Sequence, residues 1–181
     1  MGIAAEVSRV ERKFVLPVKV AEDLYGRLRL LLPGDPFQGY EPYTVRSLYF
    51  DSFYNEDYVD KMDGLEYRKK IRIRIYSPDD KKAKLELKQK QGENQHKLSL
   101  SITREQAYEM IAGNYDCLLR EGSELAENIY GIMVKEQYRP AALIQYQRRA
   151  FAVPVNSIRI TFDSHIETAE GNFDLFSKSP A

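Results

Sequence analysis

The chain has 181 residues, a single cysteine, and 27 Lys and Arg set against 27 Asp and Glu, for a formal charge of zero. That length suits one domain with a core of its own; the balanced charge excludes a bulk electrostatic grip on nucleic acid or an anionic membrane, and one cysteine excludes a disulfide framework or a cysteine-rich zinc site. No run of about 18 apolar residues marks a membrane span and the opening residues lack the apolar stretch of a signal peptide, so the expected setting is reducing and cytoplasmic, with any membrane tether supplied by another protein or segment.

Residues 8–16 (SRVERKFVL) alternate as a first strand, with Arg9, Glu11 and Lys13 on one face and Val10, Arg12 and Phe14 on the other, and Pro17 ends it. Residues 18–32 place Leu24, Leu28, Leu31 and Leu32 at helical spacing before Pro33-Gly34-Asp35-Pro36, which predicts a surface helix laid over a sheet. Residues 44–51 (TVRSLYFD) read as a second strand. The acidic and aromatic residues 52–61 follow, and Asp63-Gly64 is a turn signal. Further on, Thr103 and Gln106 form a capping box for a short helix closing at Gly113-Asn114, and residues 123–134 predict another helix. Arg139-Pro140 opens a strand running through Phe151, in which Ile144, Tyr146 and Arg148 share a face, and residues 157–163 make a seventh strand. Residues 167–181 are polar and weakly patterned.

The strongest pattern lies between these elements, in residues 66–76 (EYRKKIRIRIY) and 84–90 (KLELKQK). Successive side chains of a strand point to opposite faces, so Arg68, Lys70, Arg72 and Arg74 share one face and Lys69, Ile71, Ile73 and Ile75 the other. In the second run Leu85 and Leu87 oppose Lys84, Glu86, Lys88 and Lys90. One such strand describes any half-exposed antiparallel strand with a solvated face. The code recurs, however: Lys97, Ser99 and Ser101 alternate with Leu98, Leu100 and Ile102, and Arg159, Thr161 and Asp163 alternate with Ile158, Ile160 and Phe162. Like charges aligned across a sheet repel unless an anion lies between them, so the pattern asks for a polyanion. Nucleic acid fits poorly, because the cationic faces lack the interleaved aromatics that stack bases. Seven strands with short helices predict an α+β fold dominated by an antiparallel sheet. Such a sheet buries a charged face by curling into a barrel, and about eight strands leave room inside for side chains and one small ligand.

The ordered set ERKFVL, RSLYFD, KIRIRIY, LELKQK, RPAALIQYQRRAF and IRITFD resembles the polyphosphate polymerase (VTC) domain of the triphosphate tunnel metalloenzymes, over nearly the whole chain from Arg9 to Asp163. The resemblance implies a single domain over residues 1–181, an antiparallel β-barrel with flanking helices, and a tunnel that takes ATP, inorganic polyphosphate and pyrophosphate with a divalent metal, Mn2+ or Mg2+. It implies catalytic roles for Arg72, Arg74, Lys88, Arg148 and Arg159, with Lys13 and Lys97 joining them in substrate binding and Glu11 and Glu86 as the metal carboxylates. The activity implied is transfer of the ATP γ-phosphate to a polyphosphate chain; the alternatives are a triphosphatase of the same superfamily and a phosphate-chain-binding module without turnover. The family pattern continues past IRITFD with a strand carrying a glutamate-lysine pair and then a lysine-bearing helix. This sequence ends at Ala181 before either, so it reads as C-terminally truncated, impaired in turnover alone, and able to self-associate through an open sheet edge. Outside the implied site, Arg46 shares the parity of Leu48 and Phe50, Arg68 and Lys70 suit either a tunnel mouth or solvent, and His96 and His165 are isolated. Tyr49 and Tyr146 are placed to hydrogen-bond inward, and Cys117 reads as buried and inert.

Overall fold

The computed structural model describes residues 5–92, 94–153, 158–169 and 171–179. The elements run β1 (Ala5–Arg9), α1 (Val18–Leu31), β2 (Tyr43–Asp51), α2 (Glu56–Met62), β3 (Tyr67–Ile75), β4 (Lys82–Gln91), β5 (Asn94–Thr103), α3 (Arg104–Ile111), a 3-10 turn (Asp116–Glu121), α4 (Glu124–Lys135), β6 (Arg139–Val153) and β7 (Ile158–Ala169). The strands pair in the order β1-β5-β4-β3-β2-β6-β7. The ladders β1–β5, β5–β4, β4–β3 and β3–β2 are antiparallel. The fold is therefore α+β around an antiparallel sheet. Among the described residues that sheet is not closed by hydrogen bonds, and β1 and β7 are its two ends. The chain forms two compact units, one of Met1–Glu11, Arg46–Ile144 and Thr168–Ala181, the other of Arg12–Val45 and Gln145–Glu167.

In the first unit the alternation of β3, β4 and β5 sends Ile71, Ile73, Ile75, Leu85, Leu87, Leu100 and Ile102 to one face of the sheet. There they pack with Ala107 and Met110 of α3, Cys117 and Leu118 of the 3-10 turn, and Ala126, Ile129 and Met133 of α4. Burying each large side chain of this set contributes about 1.5–3 kcal/mol. The capping box forms as expected: the Thr103 hydroxyl accepts from Gln106 N at 3.2 Å and the Gln106 side-chain Oε1 accepts from Thr103 N at 2.7 Å. Cys117 is fully buried and burial pushes its thiol up to about 11, as an inert residue should be.

Two cations stand on this apolar parity, and each has a structural partner. Lys69 lies 3.4 Å from Asp57 of α2 and 2.9 Å from Glu136, while Tyr138 donates its hydroxyl to Asp57 at 2.7 Å. Arg46 is buried opposite Ile75 and donates from one guanidinium nitrogen to the carbonyls of Leu175, at 3.0 Å, and Ser177, at 2.5 Å. Arg46 thereby clamps the segment that seats Leu175 and Phe176 in the core. Arg46→Met should cost about 2–3 kcal/mol, the worth of a hydrogen bond to a charged group plus an orphaned carbonyl. Urea unfolding measures that loss, and faster proteolytic cleavage near residues 171–179 should accompany it.

The observed elements differ from the sequence reading at three places in the chain. The first strand ends at Arg9 instead of continuing to residue 16. β1 pairs with β5 from Ala5↔Ser99 to Arg9↔Gln95, and one residue further β5 begins at Asn94, so a longer β1 has no ladder to join. Residues 56–62, which carried no helix signal, form α2. Its first turn is held from the end of β2, because the Asp51 carboxylate accepts from the amides of Ser52, Asp57 and Tyr58 at 2.7–3.0 Å. β7 also runs on through Ala169, into the first residues of the segment 167–181 that reads as weakly patterned.

The second unit is built on aromatic packing. Tyr25 of α1 lies 5.1 Å from Phe151 of β6 and 5.6 Å from Phe162 of β7, ring centre to ring centre. Its hydroxyl donates to the Tyr40 carbonyl at 2.7 Å. The helix is turned relative to the expected leucine stripe: Ala21, Tyr25, Leu28 and Leu32 are its covered positions, while Leu24 and Leu31 are exposed, Leu31 by 76%. One aromatic side chain buries more area than any one leucine, and it sets the helix rotation.

Candidate functional site

The opposite face of the first unit's sheet carries the polar set. The register assembles it into rows across the strands: Ser47, Arg74, Lys84 and Ser101; then Tyr49, Arg72, Glu86 and Ser99; then Lys70, Lys88 and Lys97. Rows are two residues apart, about 7 Å along a strand. The middle row holds a fully buried carboxylate, Glu86, exposed by 0%. Arg72 meets it through Nε at 2.6 Å and Nη2 at 2.5 Å, both on Oε2. Lys97 Nζ lies 2.6 Å from Oε1, and an Arg74 nitrogen 3.9 Å from the same oxygen.

Polar neighbours orient the two arginines. Arg72 Nη1 donates to the Tyr49 hydroxyl at 2.8 Å, and Arg74 Nε donates to the Ser47 hydroxyl at 3.3 Å. Both guanidinium groups are buried. Burial alone would raise the Glu86 pKa, but Arg72, Arg74 and Lys97 outweigh it and hold the carboxyl down at about 2. Lys88 goes the other way. Burial and the neighbouring Arg72 and Arg74 press its pKa down to about 7, against the opposing pull of Glu11 and Glu86. The face is thus desolvated and cationic, with Arg72, Arg74, Lys88 and Lys97 around one carboxylate.

Five of the residues expected at the site therefore come together here: Arg72, Arg74, Glu86, Lys88 and Lys97. Glu11 reaches the group through its electrostatic effect on Lys88, but it and Lys13 lie beyond the end of β1, exposed and off any strand. Arg148 and Arg159 belong to the second unit and each meets a carboxylate there. Arg148 grips Asp163 with two parallel bonds of 2.6 and 2.7 Å. Burial works against the Arg148 charge, yet Asp163 holds its pKa above the ordinary value. Arg159 donates to Asp35 at 2.5 Å and to the Tyr43 hydroxyl at 2.8 Å. Asp35 sits in a tight turn that needs the glycine before it, since a Cβ on Gly34 would stand 2.4 Å from the Gly39 carbonyl oxygen.

Tyr49 faces inward as expected, Lys84 takes the polar face read for it with Glu86, and Ser47 joins them on the parity of Tyr49. Asp35 carries no such parity, because it lies in a Pro- and Gly-rich loop. Of the remaining charged positions, Lys70 joins the Lys88 row, and the half-buried Arg68 donates to the Lys61 carbonyl at 3.4 Å. His165 sits in β7 at a positive φ of 51° beside Ser164.

Among the described residues no group of three or more His, Cys, Asp or Glu side chains could hold a metal ion. A hard divalent cation takes six or more oxygen ligands. Here Glu86 is engaged by Arg72, Arg74 and Lys97, so the carboxylates grouped among the described residues do not by themselves fit a divalent cation. No described helix is long and apolar enough to cross a membrane.

The family model for the VTC domain matches residues 8–178. Among solved structures, a Hippeastrum protein named as an adenylyl cyclase, and said to reveal a dominant triphosphatase activity, aligns at a TM-score of 0.53 and 16% identity, covering 95% of this chain and 75% of its own. A Bacillus halodurans protein named as an adenylate cyclase aligns at a TM-score of 0.46 and 11% identity, over 88% of this chain and 79% of its own. No curated protein sequence matches.

Proposed function

Since the chain belongs to the VTC domain family, we propose that its polar sheet face binds the phosphate chain of ATP and of inorganic polyphosphate, and that its reaction is transfer of the ATP γ-phosphate to a polyphosphate end. The observation that carries this reading is the surplus of positive charge in the first unit: Arg72, Arg74 and Lys97 meet one buried carboxylate, with Lys88 in the next row, where burial first and the neighbouring arginines second press its pKa down to about 7. A polyanion relieves that repulsion. Arginines suit the role because a planar fork grips two phosphate oxygens and keeps its charge at any ordinary pH. Lys13, Arg148 and Arg159, which belong to the second unit, are proposed as phosphate-binding groups of that unit.

In the transfer, the bond from the γ-phosphorus to the β–γ bridging oxygen breaks, a terminal oxygen of the acceptor chain bonds to that phosphorus, and ADP leaves. Such a step receives little covalent help, so positioning and charge neutralisation supply the rate. The side chains named here do both. With water as the acceptor the same arrangement is a triphosphatase, a second reading supported by the triphosphatase activity ascribed to the Hippeastrum protein that shares the fold.

Thermal melting with tripolyphosphate at fixed ionic strength tests the binding. A hundredfold excess over Kd should stabilise by about 2.7 kcal/mol, and a shift no larger than that given by matched sulfate counts against the reading. Arg74→Lys keeps the charge and loses the fork, so it should weaken binding about tenfold, whereas Arg12→Ala, in an exposed segment, should leave it unchanged. Incubation with ATP and manganese, with products resolved on a gel, separates long chains from released phosphate.

A further inference from the structure

The polar face ends at the hairpin where β3 turns into β4, and there a cleft of about 420 Å3 opens. It is lined by Arg74, Tyr76, Lys82, Lys84 and Ser101 together with residues of the turn. The Asp80 carboxylate accepts from the amides of Tyr76 and Ser77 at 2.8 and 3.0 Å, which folds the turn and sets the backbone at Tyr76. The Tyr76 side chain is 42% exposed, and the Lys84 ammonium stands 5.7 Å from its ring centre. Apolar atoms make up most of the exposed cleft wall, as expected where a tyrosine ring and long lysine stems line a surface.

A bare phosphate chain is a narrow thread of oxygens and leaves a carbon-walled cleft unused. A nucleoside triphosphate has both parts, a flat base with a π-face and an anionic tail. Clefts of a few hundred Å3 with apolar walls and a few placed polar groups are the usual form of small-molecule sites.

We propose that this cleft holds the nucleoside end of the triphosphate substrate, with the base stacked on Tyr76 and the α-phosphate at Arg74. The phosphate chain then runs along β3 to Arg72, and the γ-phosphate points toward the row of Lys70, Lys88 and Lys97. Arg74 and Lys70 are four strand residues apart, about 14 Å, which is longer than the triphosphate, so the γ-phosphate meets the Arg72 row and the side chains of the Lys70 row face it from beyond. The assignment rests on the phosphate-chain reading of the same face and adds to it the polarity of the bound nucleotide. It also separates nucleotide from inorganic chain: ATP engages Tyr76, and tripolyphosphate does not.

Calorimetric titration of the whole chain with ATP and with tripolyphosphate tests this. Tyr76→Ala should weaken ATP about tenfold, the scale of one aromatic–base stack, and change tripolyphosphate by less than about twofold. Tyr76→Phe should keep both affinities, because the ring remains. The chain has no tryptophan, so Tyr76→Trp gives a single reporter whose emission ATP should quench and tripolyphosphate should leave unchanged. Wild-type affinity for ATP in Tyr76→Ala, equal losses for both ligands, or equal quenching by both overturns the base assignment and leaves the phosphate-chain reading standing. Failure of the unaltered chain to bind tripolyphosphate overturns both.

Discussion

Glu86→Gln should lose about 3–5 kcal/mol of stability, and tripolyphosphate should restore more of it than it adds to the unaltered protein. The reason is the imbalance left behind. Arg72 and Arg74 are buried and Lys97 is about three-quarters covered, and all three address this one carboxylate. Removing the negative charge strands cations that cannot reach water, which costs far more than the net worth of an ion pair. An independent route gives a similar size. The Glu86 pKa falls from 4.5 to about 2 on folding, and at 1.36 kcal/mol per unit that corresponds to roughly 3 kcal/mol. Because the folded-state pKa is the lower one, this contribution is complete above about pH 4.5 and is lost as the pH falls toward 2. Urea melts at pH 7 and at pH 3 therefore provide a second check: the gap between Glu86→Gln and the unaltered chain should narrow at the lower pH. A variant as stable as the parent, or one that tripolyphosphate helps no more than the parent, would show that Glu86 does not hold this charge cluster together.

Tripolyphosphate binding should weaken by about tenfold between pH 6 and pH 8 relative to a Lys88→Arg variant, whose charge does not titrate. With its pKa near 7 in the unliganded protein, Lys88 is mostly charged at pH 6 and mostly neutral at pH 8. A bound anion favours the charged form. Binding therefore takes up a proton above pH 7, and the apparent affinity falls with the charged fraction. The unliganded protein shows the opposite trend, because a lysine whose pKa drops on folding makes the folded state bind fewer protons between about pH 7 and 10.5, and its stability rises across that window. The comparison with Lys88→Arg removes the titration of the ligand itself, which is common to both proteins. Parallel pH profiles for the two would mean that Lys88 does not face the bound phosphate. Buffers of different ionisation enthalpy supply the companion measurement, since proton uptake should appear with the parent and be absent with the arginine variant.

Much of this arrangement is legible in the order of the residues. In a strand the side chains must alternate, so EYRKKIRIRIY and KLELKQK commit Arg72, Arg74, Glu86 and Lys88 to one face and the isoleucines and leucines to the other whatever the rest of the chain does. Thr103 and Gln106 specify their helix start locally, through bonds that span three residues. The ordered set of strand motifs likewise points to the VTC family, whose model matches residues 8–178. For Arg46 the parity with Leu48 and Phe50 left a helix-covered or rim position and a tunnel position equally open, and the carbonyls of Leu175 and Ser177 decided between them.

Contacts between distant segments decided the remainder. β1 stops at Arg9 because β5 begins at Asn94, a limit held by a partner nearly ninety residues away. α2 forms because Asp51, at the end of the preceding strand, satisfies amides that no residue within the helix can reach. α1 turns on Tyr25 because Phe151 and Phe162 offer it a ring-lined seat, and no spacing of leucines within residues 18–32 encodes where those rings lie. Arg159 meets Asp35, and Arg46 meets the carbonyls of Leu175 and Ser177, across more than 120 residues in each case. Periodicity reports which face a side chain takes, since that follows from backbone geometry alone. Which charge is neutralised, where a ladder ends and how a helix is rotated depend on partners brought close only by the tertiary fold, and the sequence by itself does not order those contacts.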